Sequence, residues 1–280
     1  MKNFVFDKQF FEKAFSKARM KAYYDHSDDN EECAAQLYEQ NILLAEALVP
    51  ALSTFEVTLK NALIHEMETL AGSKDWFSYF GDSPTLNQLR ANISTAIKHI
   101  TTRGETVTAD KINGELTLGF WVSLLNAEYE KVLWKSLRRA FPNLPKTQRQ
   151  RRRISAPLNA IRSLRNRVFH NESIGWNLDR LNDYYQMITE VIYWINPSVN
   201  EWMKRVDRFK NVLNNIRLQR LDPSLTRPTP GCYQSSRSHT VEVPRMWLAQ
   251  RGKSAKEPHA YPRQNSSRGW LMCDWGQNSP

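Results

Sequence analysis

CAAQLYEQNILLAEALVPALSTFEVTLKNALIHEMET, residues 33–69, decides the fold class. Leu37, Leu44, Leu48, Leu52, Phe55, Leu59, Leu63 and Met67 recur at helical spacing, so one face of a long helix is apolar throughout. Pro50 lacks an amide hydrogen and interrupts the run, which predicts two helices or one kinked helix. To the left, Phe4, Phe11, Ala14, Phe15 and Ala18 suit a first amphipathic helix over 4–20, and the acidic stretch 25–32 is placed to cap its successor. To the right, 71–84 reads as a loop anchored by Trp76, Phe77, Tyr79 and Phe80, followed by a helix over 85–99 and a polar connection. Residues 114–142 repeat helically through Leu116, Phe120, Leu124, Tyr129, Leu133 and Leu137, with Trp121 and Trp134 as pivots, up to a stop at Pro142. Further helices are expected over 177–194 and from Pro197 to about Leu221. No strand alternation occurs, so the fold class is all-α, a multi-helix bundle.

The most informative polar stretch is LNAIRSLRNRVFHNESI, residues 158–174. Pro157 fits the first turn of a helix, and Leu158, Ile161, Leu164 and Val168 form its buried stripe. Arg165, Asn166 and His170 then place a fixed cation, an amide and a titratable imidazole within about one and a half turns. Leading into and including these residues, the window 131–171 holds twelve Lys or Arg and no Asp or Glu, within a chain of net charge +10. Such a segment is the footprint of a polyanion binder, and it makes Arg149, Arg151, Arg152, Arg153, Arg162 and Arg167 candidate nucleic-acid contacts. A solvated arginine-rich linker is the plainer reading of the same residues.

Other classes are disfavoured. Cys33, Cys232 and Cys273 form no CxxC pair, and the six histidines are scattered, so neither a zinc site nor a disulfide framework is expected, and no metal or cofactor is called for. No uninterrupted apolar run of about 18 residues exists to span a membrane, and the first residues lack the layout of a secretory signal. A cytoplasmic protein is the expectation. Residues 1–221 are expected to form the helical domain. Seven of the thirteen prolines fall beyond Asp222, with many Ser and Arg and no helical period, so 222–280 is expected to be a disordered or loosely attached tail.

Four segments in this order resemble the Abi-like family of abortive-infection proteins, built on a HEPN-type ribonuclease domain. They are LSTFEVTLKNAL at 52–63, GELTLGFWVSLL at 114–125, IRSLRNRVFHNESI at 161–174 and INPSVNEWMKRVDRF at 195–209. The sequence departs from the family pattern at Lys60, where an arginine is usual, and at Asn171, Glu172 and Ser173, where His-Glu-Pro often follows the motif histidine. The resemblance implies a metal-independent endoribonuclease acting in phage defence or as a toxin. It further implies a homodimer whose composite cleft holds both arginine/histidine pairs, and it admits an antitoxin partner.

The residue chemistry agrees with that expectation. Imidazole, with an unperturbed pKa near 6.5, serves as base or acid in attack by a ribose 2′-hydroxyl. A guanidinium grips two phosphate oxygens and stays charged. Asn166 either orients the histidine or caps nearby backbone. Arg165 and His170 are separated by about 7.5 Å of rise and about 140° of rotation, so on one helix they do not point the same way. Glu56 and Lys60, one turn apart, are expected to pair with each other. Two non-enzymatic readings use the same basic segment: a nucleic-acid binder without catalysis, and an interaction protein that docks an antitoxin.

Overall fold

A computed structural model describes residues 7–81 and 83–221, all within the first of two units, Met1–Ser238. The expected tail at 222–280 lies outside the described residues. Among the described residues there are eleven α-helices and no strand, so the all-α class holds. They are α1 Lys8–Phe15, α2 Lys17–His26, α3 Glu31–Ala71, α4 Asn87–Thr102, α5 Ala109–Glu115, α6 Leu118–Ser123, α7 Glu130–Leu137, α8 Arg151–Phe169, α9 Leu178–Ile195, α10 Pro197–Met203 and α11 Phe209–Leu221.

Helix α3 is the axis of the fold, and α2, α6, α7, α8, α9, α10 and α11 all pack on it. The reason is its sequence. Leu44, Leu48, Leu52, Phe55, Leu59, Leu63 and Met67 are all at most 1% exposed, and full burial of each such side chain is worth about 1.5–3 kcal/mol. That burial also explains why Pro50 does not divide the segment. The helix runs unbroken for 41 residues, because an interior proline costs about 3 kcal/mol while buried Ala47, Leu48, Ala51 and Leu52 hold the chain on both sides of it. Asn30 caps the N-terminus, its Oδ1 accepting from the Cys33 amide at 2.9 Å, with Glu31 and Glu32 in the first turn.

Three boundaries and one covalent link differ from the sequence expectation. The first helix divides at Ser16, whose φ of 73° breaks the hydrogen-bond ladder while its hydroxyl caps Arg19 of α2. The stretch 114–142 is not continuous: the supposedly polar connection contains α5, and α6 and α7 follow as separate short helices. Helix α8 starts at Arg151 rather than after Pro157, so Pro157 lies buried inside the helix and the arginines at 151–153 form its first turn. Cys33 is disulfide-bonded, a correction to the expectation drawn from its isolation in sequence; Cys232 and Cys273 lie outside the described residues.

Two aromatic clusters fix the periphery. Trp76 and Phe80, from a 3₁₀ turn at Trp76–Phe80, pack with Phe120 and Trp121 of α6. The indole N–H of Trp76 donates to Asn113 Oδ1 at 3.1 Å and that of Trp121 to the Leu116 carbonyl at 3.2 Å, so neither buried ring leaves a polar atom unpaired. At the other end Phe11, Met20, Tyr23, Tyr24 and Tyr38 form a core beneath α1 and α2, with Trp176 packed against it.

Candidate active site

Arg165, Asn166 and His170 stand at the C-terminal end of α8. Leu158, Ile161, Leu164 and Val168 are buried at their helical spacing, and this turns the polar residues between them outward. Asn166, Phe169 and His170 are exposed and Arg165 is half-buried. The helix ends at Phe169. His170 is its cap residue, with φ −93° and ψ 9°, and its amide still donates to the Asn166 carbonyl at 2.9 Å. Asn171 then takes φ 53°, the left-handed region that asparagine tolerates better than most residues.

The turn after His170 is built by side chains from four helices. Arg19 of α2 donates to the carbonyls of His170, at 3.5 Å, and of Asn171. Asn41 of α3, 4% exposed, accepts at Oδ1 from the amides of Ile174 at 2.7 Å and Gly175 at 3.2 Å, and donates to the Glu172 carbonyl at 3.2 Å. Arg167 of α8 donates to the Ser173 carbonyl and pairs with the Glu172 carboxylate at 3.4 Å. Arg220 of α11 bridges Gln40 and the Gly175 carbonyl, each at 2.9 Å. Trp176 closes the segment by stacking on the His26 ring at 3.9 Å. The backbone that carries His170 is therefore held at fixed points on both sides.

Arg165 is engaged from two directions. Its Nε donates to Glu56 Oε2 of α3 at 3.2 Å, and its guanidinium lies over the Phe169 ring, 4.6 Å from the centroid. Glu56 thus pairs across helices with Arg165, which corrects the expected Glu56–Lys60 pair within α3. The cation is positioned by a carboxylate and an aromatic face, while about a third of its side chain stays exposed.

The remaining expected contacts separate into two groups. Arg149 is consumed by the loop before α8: its Nε donates to the Leu144 carbonyl at 2.6 Å and its Nη2 to the Pro142 carbonyl. Arg151 ties α8 to α7, through Glu130 at 2.7 Å, the Leu125 carbonyl at 3.3 Å and Ser155 Oγ at 3.2 Å. Arg167 is bound to the 172–173 turn as described. Arg162 lies half-buried against α6, its Nη1 facing Gly119. Arg153 is half-buried near Glu190, whose carboxyl is pushed up by burial and partly restored by that arginine. Arg152 points to solvent.

Exposed cations that sequence counting did not single out include Lys131 and Lys135 of α7 and Arg138, the residue that caps its C-terminus. Their spacing of four and three residues puts them on one helix face, and the Arg151–Glu130 pair joins the start of that helix to the start of α8. The basic surface therefore clusters at the N-terminal end of α8, about 27 Å along the helix from His170 at 1.5 Å per residue. It does not lead directly into the motif, because Arg151, Arg152 and Arg153 are the first residues of α8 itself. Arg19 and Asn41 escaped sequence reasoning altogether, since nothing local marks a side chain that serves backbone more than 130 residues away.

Among the described residues no group of three or more His, Cys, Asp or Glu is arranged to hold a metal ion. One helix, α3, is long and apolar enough to cross a membrane by length and composition; here it is the element on which the other helices pack. No family model, curated protein or solved structure matches this chain, and the functional reading rests on the residues themselves.

Proposed function

We propose that the protein is a metal-independent endoribonuclease of the HEPN type, acting in abortive infection or as a growth-arresting toxin in the cytoplasm, as a homodimer. The observation that carries this reading is the exposed His170 ring on a backbone clamped by Arg19, Asn41 and Arg167, one turn beyond a cation held by Glu56 and Phe169. Preorganisation of that kind suits a general acid or base, which contributes about 10²- to 10⁴-fold in rate when it is correctly placed.

In this reading His170 removes the proton from a ribose 2′-hydroxyl, the oxygen attacks the adjacent phosphorus, and the 5′-oxygen leaves with a proton. One chain supplies one imidazole, so the second proton transfer falls to the other copy's His170 or to water. Arg165 neutralises the crowded phosphate. Asn166, exposed on the same turn as His170, donates an amide hydrogen to substrate or orients the ring. The products are a 2′,3′-cyclic phosphate and a 5′-hydroxyl. Arg152 with Lys131, Lys135 and Arg138 attracts the rest of the strand.

The test is cleavage of single-stranded RNA in excess chelator, followed by end mapping. Wild-type protein is expected to leave cyclic phosphate ends, and His170→Ala and Arg165→Ala are expected to be inactive at unchanged helicity. Full activity in both variants would overturn the reading. Loss of RNA binding and of biological effect in an Arg152→Ala/Lys135→Ala variant, with His170→Ala wild-type in both, would instead establish a binder without catalysis.

A further inference from the structure

Helix α3 carries a second pattern on the face turned away from its core. Ile42, Glu46, Val49, Ser53, Val57, Lys60 and Ile64 are spaced by four, three, four, four, three and four residues. At 100° per residue they fall within a stripe about 80° wide and about 33 Å long. Ile42 is 49% exposed, Val49 37% and Val57 54%; Glu46 and Ser53 are exposed, and Lys60 and Ile64 are half-buried. Aligned along one exposed helix face and rimmed by charge, these side chains make the kind of apolar surface that a partner covers.

The spacing reads the same in both directions from Ser53. A second α3 laid antiparallel across the first, with a two-fold axis at Ser53, sets Val49 against Val57, Ile42 against Ile64 and Glu46 against Lys60. Each apolar residue meets an apolar one, each charge meets its opposite, and the smallest side chain falls where the two helices meet themselves. That is the signature of an isologous interface, in which residue i contacts j and j contacts i. Opposite charges flanking an apolar seam also fix its register.

We propose that this face of α3 docks a second copy of the same chain, antiparallel and centred on Ser53. The inference deepens the two-copy part of the function proposed above and is independent of its chemistry. Glu56, beside the stripe, holds Arg165, so docking here brings the Arg165 faces of two copies to the flanks of one seam.

Sedimentation velocity of the full chain at micromolar concentration tests it. A dimer is expected, weakened about tenfold or more by Lys60→Glu, which leaves the Glu46–Arg208 pair at 2.6 Å untouched, and likewise weakened by Glu46→Lys. The double variant Glu46→Lys/Lys60→Glu restores opposite charges across the seam, and its dissociation constant returns to within about threefold of the parent. Ser53→Cys is expected to cross-link to its own copy under mild oxidation, against the parent chain as background, whereas Thr69→Cys, far from the axis, is not. Three outcomes would overturn the proposal: a monomeric parent, a dimer indifferent to both charge reversals, or Val57→Ser abolishing flotation on phosphatidylcholine/phosphatidylserine vesicles without affecting association. RNA cleavage does not enter these readouts. A dimer that cuts no RNA refutes the proposed activity alone, and a cleaving monomer refutes the interface alone.

Discussion

Arg165 and Glu56 are joined across two helices, Nε to Oε2 at 3.2 Å, with the guanidinium resting on Phe169. The pair sits where a phosphate is proposed to bind, so the carboxylate both aims the cation and competes with any anion for it. Both side chains are about a third exposed, and the pair's own contribution to stability is small, about 0–1 kcal/mol.

Glu56→Gln is therefore expected to leave the melting temperature within a few degrees of wild type while tightening RNA binding several-fold. Removing the carboxylate frees the guanidinium's charge for phosphate. Fluorescence anisotropy with a non-cleavable RNA, in the His170→Ala background, provides the measurement; weaker binding in Glu56→Gln would show that the carboxylate's positioning role outweighs its competition.

Asn41→Ala is expected to destabilise the protein by about 2–4 kcal/mol. It strips the amides of Ile174 and Gly175 of their acceptor in a buried setting, and each unpaired buried group costs about 1–3 kcal/mol. Urea denaturation reads the loss. At temperatures where the variant stays folded, RNA cleavage should fall as well, although every residue proposed for the chemistry is intact, because the turn behind His170 loses its anchor.

Arg149 and Arg152, three residues apart, are expected to separate cleanly. Arg149→Ala removes donors from the Leu144 and Pro142 carbonyls and should cost about 1–3 kcal/mol in stability with little change in the salt dependence of RNA binding. Arg152→Ala should leave stability within about 0.5 kcal/mol and lower the slope of log affinity against log salt by about 0.7, the amount for one contact to a single strand.

Acid should loosen the junction of α4 and α5. Arg103 holds the Glu115 carboxyl below the usual carboxylate range, with His99 adding to the effect and burial opposing it; the contacts are 3.0 Å each. The folded value lies below the unfolded one, so the carboxylate's stabilisation is fully present above about pH 5 and disappears as pH falls through the unfolded and then the folded value. Glu115→Gln should flatten the acid limb of a plot of urea midpoint against pH. An unchanged limb would assign that limb to other carboxylates.

The helical class was legible because α3, α8 and α9 carry apolar residues at the helical period over many turns, and periodicity survives any tertiary arrangement. The end of α8 was legible for the same reason: burying Leu164 and Val168 forces Asn166 and His170 outward. Boundaries were less so. Pro50 read as an interruption and Pro157 as a helix start, yet both lie inside helices, since burial of their neighbours outweighs a lost hydrogen bond. The charge count also misled, because a side chain's availability depends on its partners. Arg149, Arg151 and Arg167 are spent on carbonyls and carboxylates that no spacing rule brings near them.

The amino-acid order alone determined that this chain folds as helices around residues 33–69 and that a cation, an amide and an imidazole share one helix end. Only the tertiary structure decided that Glu56 pairs with Arg165 rather than with Lys60, that Arg19 and Asn41 secure the turn beyond His170, and that the exposed cations gather a helix length away. The physical reason is range. Helical periodicity is set by neighbours three and four residues apart, whereas hydrogen bonds between α3 and residues 172–175 close loops of more than 130 residues, and nothing short of the packed core specifies which groups meet across them.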